Sequence, residues 1–126
     1  MKAVSEVDGL QLIESRITPA VVRLRFVIAS RSPYFDGHFP GEPLLPGVAQ
    51  LGLALRAARL LGDARLALVG LRGLRWRYPI RPEREFEVSV TRPTAMDAFR
   101  FEIRVAEGVA TAGTLLMTPA LEPSDA

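Results

Sequence analysis

Cysteine is absent from this 126-residue chain. No disulfide framework, thiolate nucleophile or cysteine-bound zinc is therefore possible. Histidine is nearly absent too, with one copy at His38. A single imidazole without thiols argues against a transition-metal site. No long apolar run exists: the stretch Val48 to Leu61 is broken by Arg56 and Arg59 and is too short to cross a bilayer. The N-terminal residues Met1 to Gly9 contain no apolar core, so they do not read as a signal peptide, and a cytoplasmic protein without membrane contact is the expectation. Neither sign of charge dominates, because 16 basic residues stand against 14 acidic ones. That balance is too even to argue for a nucleic-acid partner.

What is present is hydrophobic. At 48% apolar residues the chain cannot be disordered, and its length suits one domain with one core. Repeats, low-complexity segments and linkers are missing, so residues 1–118 read as a single domain and 119–126 as a loose tail. Between Ala20 and Ala29, Val22, Leu24, Phe26 and Ile28 alternate with Arg23 and Arg25, the pattern of a half-buried strand. Leu10 to Ile17 suggests an earlier strand. Pro46 opens a helix that runs to about Leu61 and stops at Gly62. Val48, Leu51, Leu55 and Ala58 mark one face of it, while Leu53, Ala57 and Leu60 make the other side apolar, so the helix is expected to be enclosed. Strand patterns follow over Leu74–Ile80, Glu85–Thr91, Phe99–Val105 and Val109–Met117. Their short links predict antiparallel pairing between neighbours. One sheet around one helix leaves apolar surface that favours a dimer.

The chemistry points to the segment Tyr34 to Val48, where prolines and glycines surround His38 ahead of the apolar helix. Proline locks φ and glycine permits tight turns, so a ring nitrogen can be held in one place. Imidazole is the usual proton carrier near neutral pH. A lone histidine is also often structural. Gly47 falls near the helix start, where backbone N–H groups lack partners and the dipole favours negative charge. A tight turn is its plainer explanation.

These residues resemble the hotdog-fold family of 3-hydroxyacyl-(acyl-carrier-protein) dehydratases, the FabA/FabZ-like enzymes. That family's loop reads Gly-His-Phe-Pro-x-x-Pro-x-x-Pro-Gly-Val, and Gly37, His38, Phe39, Pro40, Pro43, Pro46, Gly47 and Val48 match it in register. The segment Leu45 to Leu51 looks most like the ApeI-like branch of aryl-polyene pathways. The resemblance implies an α+β hotdog fold, an antiparallel sheet wrapped around one long central helix. It implies elimination of water from a 3-hydroxyacyl thioester on the phosphopantetheine of acyl carrier protein, with no other cofactor and no metal. His38 would be the base, with the Gly47 N–H holding the thioester oxygen. Phe39 would be a packing residue that sets the loop.

One departure matters. The family places a Glu or Asp fourteen residues after the histidine, contributed from the opposite subunit, and this chain has Gly52 there. A helical glycine costs about 1 kcal/mol relative to alanine, so either close packing or room for a bulky acyl chain should explain it. Gln50, and less so Glu42, is the replacement candidate for orienting the hydroxyl. Phe35, Trp76 and Tyr78 are candidates to line an acyl channel, although ordinary core is the commoner role of such residues. Arg72, Arg75, Arg77 and Arg81, with Arg56 and Arg59, are candidates to receive an acidic carrier protein, against the plainer reading of a solvated strand face. Three functional readings follow: a homodimeric dehydratase, a thioesterase of the same fold, and a non-catalytic acyl-carrier-binding half of a heterodimer.

Overall fold

Alternation in the sequence becomes register in space. The structure is a computed structural model that describes residues 6–36, 43–62, 65–92 and 97–119. Strands β1 (Glu6–Val7) and β2 (Leu10–Ile17) form a hairpin. Its two turn residues, Asp8 and Gly9, both take positive φ, at 55° and 82°, as a tight two-residue hairpin turn requires. Strand β3 (Val21–Ile28) buries Val22, Leu24, Phe26 and Ile28 and turns Arg23 outward. A 3-10 turn at Pro33–Phe35, capped by the Ser32 hydroxyl, leads toward helix α1 (Gly47–Leu61). Strands β4 (Leu66–Trp76), β5 (Phe86–Thr91), β6 (Ala98–Val105) and β7 (Gly108–Pro119) complete the chain.

All ladders are antiparallel, in the order β1-β2-β3-β5-β6-β7-β4. The sheet packs one face on α1, chiefly through β5 and β3. The helix buries Gln50, Leu53, Ala54, Ala57, Ala58 and Leu61, the i, i+3, i+4, i+7 spacing of one helical face. Arg92 fastens its end: Nε donates to Pro19 O at 2.8 Å and Nη2 to Leu61 O at 2.7 Å. Among the described residues no helix is long and apolar enough to cross a membrane.

Four expectations are corrected. The helix is not enclosed by its own chain, because Val48, Gly52, Arg56 and Leu60 form an outward stripe with Val48 80% exposed. The strand expected over 74–80 instead spans Leu66–Trp76. Its first half was hidden because Val69 and Leu71 are apolar yet exposed, which erases the two-residue period. It ends early because Pro79 has no N–H, while Arg77 and Tyr78 both direct theirs to Ala110 O. Finally, β4 pairs with β7 rather than with its sequence neighbour β5, which places β4 at a sheet edge. The last strand also runs two residues further than expected, to Pro119.

Candidate active site at the helix N-terminus

A proline starts the helix and a glycine is its first residue. Pro46 has extended backbone, and its carbonyl accepts the N–H groups of Ala49 and Gln50 at 3.1 Å each. Gly47 and Val48 precede those bonds, so their N–H groups have no acceptor within the helix. Beside them opens a cavity of about 440 Å³. The 44–47 segment forms one wall, Gln50 lies on the helix side, and Trp76 to Pro79 form the opposite wall. Among the described residues the lining is mainly apolar, carries one guanidinium at Arg77 and holds no carboxylate.

Trp76 decides how close the walls come. A Cβ built on Gly47 would lie 2.7 Å from Trp76 Cη2, a separation real Cβ atoms do not adopt. The glycine at position 47 therefore lets the indole lie over the start of the helix. Trp76 pairs with Thr111 across the β4–β7 ladder. It is 50% exposed, so the ring is a movable wall rather than core.

Gln50 is 4% exposed, and both ends of its amide are engaged. Its Nε2 donates to Leu45 O at 3.1 Å, and its Oε1 accepts from the Thr111 hydroxyl at 2.5 Å. Leu45 in turn donates its N–H to Ile80 O at 2.9 Å. The amide thus ties the segment before the helix to β7, and at the same time borders the cavity.

The structure brings Gly47, Gln50, Trp76 and Tyr78 together around one space. It does not bring Phe35 there, because that ring is buried in the main core. His38, Phe39 and Glu42 lie outside the described residues. Gly52 points away, and a Cβ on it would meet nothing within 4 Å. Neither close packing nor cavity room within this chain explains that glycine. Arg75 and Arg77 meet Arg100 of β6 in a depression on the outer sheet face. Arg72 joins the same strip, since it and Arg100 both pair with Thr114. Arg81 lies half-buried beyond the strand. Sequence reasoning missed Thr111 and Arg100. Thr111 had a signal, because counting back by twos from Met117 and Leu115 puts a hydroxyl on the buried face, where it needs a partner.

An antiparallel sheet around one helix, with an apolar cavity at the helix N-terminus, defines the hotdog class. The chain belongs to the ApeI-like family, described as ApeI dehydratase, which matches residues 14–114. It is 32% identical over 96 residues to the 3-hydroxyacyl-(acyl-carrier-protein) dehydratase FabZ of Verminephrobacter eiseniae, covering 68% of this chain and 61% of that one. It is 31% identical over 116 residues to the FabZ of Anaeromyxobacter dehalogenans, covering 72% of this chain and 74% of that protein. Among solved structures, the dehydratase heterocomplex ApeI:P from Xenorhabdus doucetiae aligns with TM-score 0.77 and 20% identity, over 84% of this chain and 95% of that chain. An uncharacterized protein from Erwinia carotovora subsp. atroseptica aligns with TM-score 0.71 and 24% identity, over 96% and 94%. At these identities the structural likenesses establish the fold.

Proposed function

We propose that this chain is a dehydratase that eliminates water from a 3-hydroxyacyl thioester carried on acyl carrier protein, in fatty-acid-like or aryl-polyene synthesis in the cytoplasm. The observation that carries the reading is the cavity at the start of α1, where the amide of Gly47 has no helical acceptor and the walls are apolar. A thioester oxygen at that amide meets a donor reinforced by the helix dipole. His38, from the matched loop, removes the C2 proton. The C–H electrons form the C2–C3 double bond, and the C3 hydroxyl leaves with a proton returned by the same ring as water. Gln50 holds Leu45, next to the cavity wall, in register and is a positioning residue in this scheme. The only cofactor required is the phosphopantetheine that carries the substrate. Arg77 at the cavity wall, with Arg72, Arg75 and Arg100 on the adjoining outer sheet face, supplies positive charge for an acidic carrier. The exposed Val69 and Leu71 on edge strand β4, with Val48 on the helix, are the surface on which a second copy would pair.

A second reading is favoured by one observation: among the described residues no carboxylate lines the cavity, and position 52 is open. On that reading the chain is one half of a heteromeric pair whose partner contributes the acid; the Xenorhabdus protein is likewise described as a dehydratase heterocomplex. The helix sequence from Gly47 to Leu61 contains no Asp or Glu, which counts against a thioesterase that needs a carboxylate there to activate water.

The test is mass spectrometry of a 3-hydroxyacyl-carrier thioester incubated with the pure protein. Loss of one water, abolished by His38→Ala, supports the dehydratase. Release of free acid identifies a thioesterase. An unchanged substrate that is converted only after a second subunit is added supports the heteromeric reading.

A further inference from the structure

The helix does not roof the inner face of the sheet evenly. It packs chiefly on β5 and β3. Strand β2 buries Leu10 and half-buries Leu12, and past the bulge between Leu12 and Glu14 its residues are exposed. A groove of about 270 Å³ opens between β2, β3 and the second half of α1. Leu10, Leu24 and Phe26 form its floor, each no more than 5% exposed, and Leu60 flanks it from the helix. The groove shares no residue with the cavity at the helix start. Arg59 lies about 14 Å further along the axis than Gln50.

Two guanidinium groups, Arg56 and Arg59, join this apolar lining. Expected among the carrier-protein arginines, they stand at a groove that none of Arg72, Arg75, Arg77 and Arg81 lines. Arg59 Nε donates to Leu66 O at 2.8 Å, which fixes the guanidinium plane and leaves its terminal nitrogens for another acceptor. Among the described residues neither Arg56 nor Arg59 forms an ion pair with a carboxylate. Arg59 stands in the last helical turn, where a cation complements the dipole. That accounts for its charge but not for the apolar groove beside it. A ligand suited to both features has one acidic head and an apolar body. The head takes charge-assisted hydrogen bonds from the guanidinium groups, and the body covers the leucines. At about 30 Å³ per water-sized group, the groove holds about eight or nine such groups. That is the size of one short alkyl chain rather than a helix.

We propose that this groove is a second binding site, for a free medium-chain fatty acid. The chain lies on Leu10, Leu24 and Phe26, and the carboxylate sits between Arg56 and Arg59. The site stands apart from the dehydratase reading, because no residue of the groove belongs to that cavity.

The probe is octanoate. Binding is followed by the methyl resonances of the groove leucines and by the emission of Trp76, the single tryptophan, which lines the other cavity. Octanoate should shift the Leu12 and Leu60 methyls saturably and leave the Trp76 emission as it was. Octanol has the same chain and no charge, and should bind at least about tenfold less tightly. Arg56→Glu changes an exposed side chain. It should keep the parental melting temperature and weaken octanoate about tenfold or more. Parental affinity in Arg56→Glu, equal binding of octanol, or the lack of a saturable methyl shift overturns the proposal. A response confined to Trp76 also overturns it, because the ligand is then in the cavity at the helix start. So does a shift of the Leu12 and Leu60 methyls with protein concentration alone, which would put a second copy on the groove.

Discussion

The indole of Trp76 lies over Gly47, so close that a Cβ at position 47 would reach 2.7 Å from Cη2. A strand edge and a helix N-terminus thereby form two walls of one cavity. Because Trp76 is half exposed, the ring can swing aside at modest cost. Gly47→Ala should therefore cost less than the about 1–3 kcal/mol of a sealed, overpacked site. It should nevertheless lower turnover about tenfold or more, since small displacements at a reacting centre are expensive. Adding Trp76→Leu should restore part of the rate. Parental turnover in Gly47→Ala would show that this contact does not shape the site.

Gln50 and Thr111 share a buried hydrogen bond, and Gln50 also holds Leu45 O. Gln50→Leu strands the Thr111 hydroxyl and the Leu45 carbonyl, at about 1–3 kcal/mol for each buried unpaired group. Adding Thr111→Val removes one of those orphans, so the double variant should be more stable than Gln50→Leu alone. Urea unfolding of the four-member cycle reads the coupling directly. Strict additivity would mean that the bond contributes nothing.

Gly52 lies inside a helix with open space around it. Gly52→Ala should stabilise the chain by about 1 kcal/mol, which is a rise of roughly 3–6 °C in melting temperature for a domain of this size. A fall instead would mean that another chain packs on that stripe. Gly52→Glu places a carboxylate at the family position, and a faster elimination in that variant would favour the heteromeric reading of the native protein.

The edge strand β4 exposes Val69 at 65% and Leu71 at 39%. Unpaired strand edges with apolar side chains associate, and lysine blocks that association. The parent should run as a dimer in light scattering, and the double variant Val69→Lys, Leu71→Lys should run as a monomer. A dimer that survives the double change would place the interface elsewhere.

The local elements were legible because local rules govern them. Val22 to Ile28, Phe86 to Val90 and Phe99 to Val105 alternate with a period of two, and each is a strand with the expected face buried. The helix from Gly47 to Leu61 is bounded by Pro46 and Gly62, whose effects act within one turn of the chain. Half of β4 escaped notice because its outward residues are apolar as well. The cavity members Gly47, Gln50, Trp76 and Tyr78 could be named separately, but their common space could not.

The chain alone thus determined which stretches extend, which one coils and where each stops, since these follow from side-chain period, φ restriction and missing N–H groups within a few residues. Only the tertiary structure decided that β4 crosses to β7 and carries Trp76 onto Gly47, that Thr111 answers Gln50, and that Glu83 reaches Ser30. Those pairings are set by how the sheet closes over the helix, and the energy that selects them comes from surfaces far apart in sequence that meet only after folding.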